Sequence, residues 1–240
     1  MDTLTRQQAI APSHADACTT YNAYNATWEP LVPAATVEFW FDFASNYSYL
    51  SVMRIEAAAV QLGVRVAWRP FLLGPIFQSL GWASSPFVLQ RAKGHYVWQD
   101  MARECAKYGL PWAQPSTFPR NSVLPIRVAL LGADAPWIGA FCQRIMLRNF
   151  AQDQDIHTPE VVGEELAALG LPADAILAEA LSDTSKQRLR EQTHAAQIRG
   201  IFGAPTFFVG DAMFWGNDRL DDALACAAAL QSNPHPLHTG

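Results

Sequence analysis

Charged residues are scarce in this 240-residue chain, and no stretch of it is strongly basic or continuously apolar. Asp, Glu, Lys and Arg make up 16% of the residues, and the formal net charge is −5. A nucleic-acid-binding domain needs a basic patch that neutralises phosphates, so nucleic-acid binding is not expected. No apolar run approaches the ~20 residues that cross a bilayer, and the N-terminus lacks the basic start and apolar core of a secretory signal. We therefore expect a cytoplasmic protein without a membrane span.

The sequence has four cysteines, Cys18, Cys105, Cys142 and Cys226, but no C-x-x-C and no metal-ligand spacing. Scattered cysteines in a chain of this size are typical of reduced thiols in the cytoplasm. The histidines form neither H-x-x-x-H nor H-E-x-x-H, so no metal site is predicted. Motifs of the G-x-G-x-x-G, Walker and G-x-S-x-G types are also missing. Their absence argues against a nucleotide cofactor and against a hydrolase triad.

What the sequence does contain is a strand–helix–strand pattern near residue 40. Residues 36–43 (TVEFWFDF) are β-branched and aromatic, as in a buried strand. An apolar stripe predicts a helix over 47–62, and Gly63 stands where that helix should stop. Residues 64–70 alternate as a second strand should. Such a βαβ unit implies parallel strands with a right-handed crossover.

The rest of the chain is helical in pattern and then returns to sheet. Amphipathic segments recur from Leu72 to about Gln192. Two apolar runs flank Gly210-Asp211, a hairpin signal that favours a type II′ turn, and a helix over 218–230 closes the chain.

We therefore predict an α/β protein with a thioredoxin-like fold, βαβ followed by ββα, and a large all-α insertion. The predicted units are a poorly ordered extension (1–35), a discontinuous thioredoxin-like domain (36–72 and 193–232) and a helical insertion domain (73–192).

Ser45 is the first candidate for chemistry, since it lies where the first strand ends and the first helix begins. Ligands bind at this edge of open α/β sheets, and a helix N-terminus carries roughly half a positive charge. An anion or a nucleophile is stabilised there. Serine is also a favoured N-cap residue, and position alone favours capping over catalysis.

Two later segments could bind a ligand beside Ser45. Pro205 either starts a strand or forms a cis bond that turns the backbone of Ala204 toward a bound peptide. Asn217 or Asp218 caps the last helix, and this helix end could also receive a carboxylate.

The motifs around these residues resemble, in chain order, those of one family. Residues 41–50 (FDFASNYSYL) are similar to the F-D-x-x-S-P-x-S-Y-L of 2-hydroxychromene-2-carboxylate isomerases and to the start of kappa-class glutathione transferases. Both belong to the DsbA-like branch of the thioredoxin superfamily, whose redox members carry C-x-x-C at this place. Residues 68–77 (WRPFLLGPIF) resemble the family's second strand and the loop that leaves it. Further matches are 93–96 (KGHY), 118–122 (FPRNS), 193–196 (THAA), 202–207 (FGAPTF) and 215–220 (WGNDRL).

The resemblance covers roughly residues 36–230, with two departures. Asn46 replaces the proline that usually follows the serine, and 82–86 (WASSP) lacks an asparagine that members often carry.

The resemblance implies glutathione as cofactor. Ser45 would donate a hydrogen bond to its sulfur, and Ala204, ahead of a cis-Pro205, would pair with its cysteinyl backbone. Its γ-glutamyl end would be held by four consecutive residues, Trp215, Gly216, Asn217 and Asp218. Taken alone, Lys93 is a helix-surface charge and Asn121 a loop residue, but the family implies that they orient the substrate.

The function implied is that of a glutathione-dependent isomerase of a small aromatic substrate, of the type found in aromatic-compound catabolism. A kappa-like glutathione transferase is the first alternative. With Ser45 and Ser48 in place of both redox cysteines, a non-catalytic binder of thiol peptides or proteins is the second. A disulfide oxidoreductase is not expected, because serine cannot form the mixed disulfide. Family members are commonly dimers, and the sequence is compatible with a homodimer.

Overall fold

The computed structural model describes residues 35–232. The predicted N-terminal extension therefore lies outside the described residues, apart from Ala35. The described part contains a single four-stranded sheet whose strands are β1 (Thr36–Phe41), β2 (Arg65–Pro70), β3 (Thr206–Val209) and β4 (Ala212–Trp215). Their order across the sheet is β2-β1-β3-β4. β1 is parallel to β2 and antiparallel to β3, and β4 is antiparallel to β3. This mixed sheet confirms the thioredoxin-like fold.

Helices form most of the remainder. In chain order they are α1 (Asn46–Val52), α2 (Ile55–Gln61), α3 (Leu73–Ser79), α4 (Pro86–Leu89), α5 (Arg91–Tyr108), α6 (Val123–Leu131), α7 (Ile138–Phe150), α8 (Pro159–Ala168), α9 (Ala173–Leu181), α10 (Asp183–Ile198) and α11 (Leu220–Ser232), with a 3₁₀ turn at Asn217–Arg219. Helices α3 to α10 lie between β2 and β3, so the all-α insertion is confirmed. The exact bounds of the three predicted units stay a prediction.

The core explains why the last three residues of β1, at positions 39–41, are all large and aromatic. Phe39 and Phe41 face a large cluster that includes side chains of α1, α7 and α11, while Trp40 faces a smaller cluster under α3 and α10. Both faces of β1 are therefore buried, as expected for a central strand. The carboxyl end of β1, where Ser45 follows, is held between these two layers.

Two local predictions are wrong. The helix predicted over 47–62 is divided into α1 and α2, which are separated at Met53-Arg54. Arg54 hydrogen-bonds to Asn217 and Asp221 and lies 3.8 Å from the centre of the Tyr108 ring, so distant partners fix the chain at this point.

The loop expected after β2 is instead α3. Its first N–H, that of Leu73, is satisfied by the carboxylate of Asp42 at 2.8 Å, a cap supplied by another part of the chain.

The hairpin prediction is confirmed. Gly210 has a φ of +58°, whereas Asp211 has no positive φ, which fits a type II′ turn. Among residues 35–232, no helix is both long and apolar enough to cross a membrane. In the same range, no three His, Cys, Asp or Glu side chains come together as metal ligands would.

Candidate active site

Ser45 forms two hydrogen bonds through its hydroxyl group. Its Oγ accepts from the backbone N–H of Ser48 at 3.2 Å, which confirms that Ser45 caps α1. The same hydroxyl donates to the carbonyl oxygen of Ala204 at 2.9 Å. Ser45 has an exposed fraction of only 6%. The structure thus joins the start of α1 to the segment before β3 through this one side chain.

The Ala204–Pro205 peptide bond is cis, as predicted. Ala204 is half-buried, and its backbone N–H has no hydrogen-bond partner among residues 35–232. Its carbonyl is the group that Ser45 contacts. A second cis bond, Phe118–Pro119, was not predicted. The backbone of Ala204 therefore presents a free donor beside an acceptor that is already hydrogen-bonded.

The segment from Trp215 to Asp218 lies next to this backbone. The N–H of Gly216 donates to the carbonyl of Pro205 at 2.9 Å. Gly216 has a φ of +110°, which a residue with a Cβ rarely adopts. The Trp215 side chain is about half exposed, and its ring centre lies 4.7 Å from that of Phe202. The structure therefore brings this loop and the Ala204-Pro205 segment together.

The prediction that Asn217 or Asp218 caps the last helix is wrong. The N-cap of the 3₁₀ turn is Gly216, without a side-chain hydrogen bond. The side-chain oxygen of Asn217 is unavailable because it accepts from the Ser51 hydroxyl at 3.1 Å and from Arg54 at 3.3 Å. Asn217 is buried and ties this loop to α1, whereas Asp218 presents its carboxylate to solvent, 3.6 Å from Arg219.

Lys93 and Asn121 are not brought into contact with Ser45. Both are exposed. Lys93, in the first turn of α5, has no hydrogen bond or ion pair within the described range. The side-chain oxygen of Asn121 accepts from the N–H of Val123 at 3.0 Å, an interaction local to the start of α6. Their predicted role toward a substrate therefore has no support from a contact in this structure.

Asp42 is a central polar residue to which the sequence analysis gave no role. It is 2% exposed and accepts hydrogen bonds from the N–H of Ala44 at 2.9 Å, the N–H of Leu73 at 2.8 Å and the hydroxyl of Ser122 at 2.6 Å. Burial raises the pKa of Asp42, and the three donors oppose that rise. Asp42 fixes the turn before Ser45 relative to α3 and α6. The available signal was an acidic residue directly after a buried strand.

Two buried polar atoms next to Ser45 have no hydrogen-bond partner among residues 35–232. They are the side-chain nitrogen of Asn46 and the hydroxyl of Ser48. Asn46 is 1% exposed and Ser48 is fully buried. Ser48 stands where a redox relative carries its second cysteine, and it is more deeply buried than Ser45, which is 6% exposed.

Residues 36–226 match the model of the DSBA-like thioredoxin domain family. The chain is also 30% identical to the 2-hydroxychromene-2-carboxylate isomerase of Pseudomonas putida, over 77% of this chain and 90% of that protein. The chain belongs to this family. A kappa-class member, glutathione S-transferase kappa 1 of Caenorhabditis elegans, is 22% identical over 84% of this chain and 92% of its own.

The fold similarity extends to a solved structure of a 2-hydroxychromene-2-carboxylate isomerase. The two superpose with a TM-score of 0.73 at 26% identity, over 84% of this chain and the whole of the other. The family and the fold expected from the motifs are thereby confirmed.

Proposed function

We propose that this protein is a glutathione-dependent isomerase of the 2-hydroxychromene-2-carboxylate isomerase type, acting on a small aromatic substrate in the cytoplasm. The observation that carries the proposal is the hydrogen bond between the Ser45 hydroxyl and the Ala204 carbonyl. It holds a hydroxyl donor, a helix N-terminus and an unpaired backbone N–H within one small region. The isomerases at 30% identity support the reaction type, and the kappa-class relatives support glutathione.

These residues fit a thiol peptide. The unpaired N–H of Ala204 can donate to a peptide carbonyl, as an added strand would require. The exposed carboxylate of Asp218 suits an ammonium group. The Ser45 hydroxyl has one proton, which it now donates to the Ala204 carbonyl. When glutathione binds, the hydroxyl would rotate and donate this proton to the sulfur instead. The freed Ala204 carbonyl could then accept a peptide N–H.

When bound, glutathione supplies the thiolate that adds reversibly to the substrate. The contribution of Ser45 is to favour the thiolate over the thiol. A free thiol has a pKa of about 8.5, and lowering it by about two units takes roughly 2.7 kcal/mol. A hydrogen bond to a charged acceptor and the N-terminus of α1 together can provide a free energy of that size.

Two of the chain's own thiols do not meet this need. Cys105 and Cys142 are buried, and burial raises the pKa of Cys105 to about 11 and that of Cys142 well above its usual value. Neither can supply a thiolate at neutral pH. The segments that form the site, residues 42–48, 202–206 and 215–219, contain no cysteine, so we assign the thiolate beside Ser45 to glutathione.

The assay is ring opening of the chromene carboxylate with and without glutathione. The proposal expects turnover that depends on glutathione without consuming it. Net consumption of glutathione with a generic electrophile, without ring opening, would favour the transferase instead. If the protein neither turns over the chromene carboxylate nor binds glutathione, the non-catalytic binding module is the function that remains. The homodimer belongs to the same proposal, and light scattering on the purified protein tests it.

A further inference from the structure

A cleft of about 440 Å³, separate from the Ser45 site, opens between α3, α6 and α10. None of the residues that line it is among those assigned above to glutathione or to the substrate. Its lining is partly apolar, with Leu72, Val123 and Leu181 among the contributors, and partly basic. Cavities of this size that combine an apolar wall with a few polar groups are typical of small-molecule sites.

The strongest observation in the cleft is Arg127, which is only 9% exposed. Its guanidinium donates to the carbonyl of Ser182 at the end of α9, but its Nε is buried without any partner. Arg127 forms no ion pair within residues 35–232. Burial lowers the pKa of Arg127 more than the nearby Asp183 raises it. A buried cation is costly unless an anion neutralises it, so this group is short of one partner.

Two further cations come from one face of α10. Lys186 and Arg190 are four residues apart, so they lie one above the other on the helix, and both line the cleft. Both are exposed, and neither forms an ion pair in the part of the chain that the structure describes. Among the described residues that line the cleft, Asp183 is the only acidic one. Such an excess of cations is not a general feature of a chain with a net charge of −5.

We propose that this cleft is a binding site for a small organic anion, namely a carboxylate carried on an apolar ring or chain. The carboxylate would bind Arg127, Lys186 and Arg190, since guanidinium groups pair with carboxylates through two parallel hydrogen bonds. The apolar body would lie against Leu72 and Leu181. This inference does not depend on the isomerase activity.

The test uses 4-fluorobenzoate, with 4-fluorobenzamide as a neutral probe of the same shape, and measures binding by fluorine NMR of the full chain. We expect benzoate to bind at least about ten-fold more tightly than the amide. The double variant K186Q/R190Q should weaken benzoate binding at least about ten-fold, which corresponds to roughly 1.4 kcal/mol. Both positions are exposed, so this variant should fold as the parent does.

Arg188→Gln is the matched control, because Arg188 is an exposed cation of the same helix that does not line the cleft. It should change benzoate affinity by less than about two-fold, and so should Ser45→Ala. Equal binding of the two probes, or unchanged binding by K186Q/R190Q, would overturn the proposal. Equal weakening by R188Q would mean that net charge alone attracts the anion. Loss of binding in S45A would place the anion at the Ser45 site, which also contradicts the proposal.

Discussion

Replacing Asn46 by proline, N46P, should make this protein more stable. Asn46 is the first residue of α1, the helical position at which proline is best tolerated, and its backbone N–H makes no hydrogen bond within residues 35–232. Ser45 has φ −89° and ψ 117°, a conformation that the residue before a proline readily adopts. The backbone therefore needs no rearrangement to accept the ring.

Two effects add to the expected gain. The fixed φ of proline reduces the entropy of the unfolded chain and is worth about 0.4–1 kcal/mol. The substitution also removes the buried side-chain nitrogen of Asn46, and a buried polar group without a partner costs about 1–3 kcal/mol. Loss of the packing of the amide offsets part of this. We expect a net increase of about 1–2 kcal/mol in the free energy of unfolding, or about 2–8 °C in Tm.

The measurement is thermal unfolding followed by circular dichroism, with the free energy of unfolding taken from urea titration. Asn46→Ala is the control, because it removes the unpaired nitrogen without restricting the unfolded chain, and it should gain less. A Tm of N46P below that of the parent would refute the reasoning. It would mean that the Asn46 amide has a favourable role that its contacts do not reveal. Isomerase activity should change by less than about three-fold, since Ser45 keeps its position.

Two other substitutions test the frame of the site. Asp42→Asn should lower the free energy of unfolding, measured by urea titration, by about 2–4 kcal/mol. The reason is that an amide nitrogen cannot accept hydrogen bonds from the donors that now point at both carboxylate oxygens. A decrease of less than about 1 kcal/mol would contradict this. Burial raises the pKa of Asp42 above 3.8, so between pH 3.8 and the raised pKa the folded chain holds a proton that the unfolded chain has lost. As the pH rises through this range, the parent should therefore lose stability relative to D42N, which has no carboxyl group at this position. Gly216→Ala should weaken glutathione binding in calorimetry at least about five-fold, because φ is +110° and the new Cβ would lie 2.4 Å from the Asp218 carboxylate. Gly210→Ala, at φ +58° in the β3–β4 turn, is its control, because the added Cβ would have no heavy atom within 4 Å other than those of residue 210 and its two chain neighbours. An equal loss there would show that destabilisation alone lowers binding.

Local patterns were sufficient where neighbours in the chain determine the structure. The aromatic run of β1, the glycine stop at Gly63 and the hairpin at Gly210 all have partners or constraints within a few residues, and all are found. The same distinction between local and distant contacts applies to Ser45 in the candidate active site. Its capping bond to Ser48 is local and could be predicted from position, whereas its bond to Ala204 was not predicted, because the resemblance implied only that each of the two residues contacts glutathione.

The features that sequence reasoning missed depend on distant contacts. Arg54 ends α1 because Asn217 and Asp221, far along the chain, bind its guanidinium. Asn217 does not cap its own helix because the same contacts use its side-chain oxygen. Asp42 links α3 and α6 to the turn before Ser45 because it accepts hydrogen bonds from the Leu73 N–H and the Ser122 hydroxyl, which are distant in the sequence. No local sequence pattern specifies contacts between residues that are so far apart in the chain.

In the function proposed here, the Ser45 hydroxyl stabilises the thiolate of bound glutathione. Its most direct test is the pKa of that thiol, followed by the ultraviolet absorbance of the thiolate across pH in the parent, S45A and S45T. In the parent we expect a pKa about two units below the value of about 8.5 for a free thiol. S45T, which keeps the hydroxyl, should give a similar value, and S45A should return toward the free value. A lowered pKa that persists in S45A would mean that the Ser45 hydroxyl does not stabilise the thiolate.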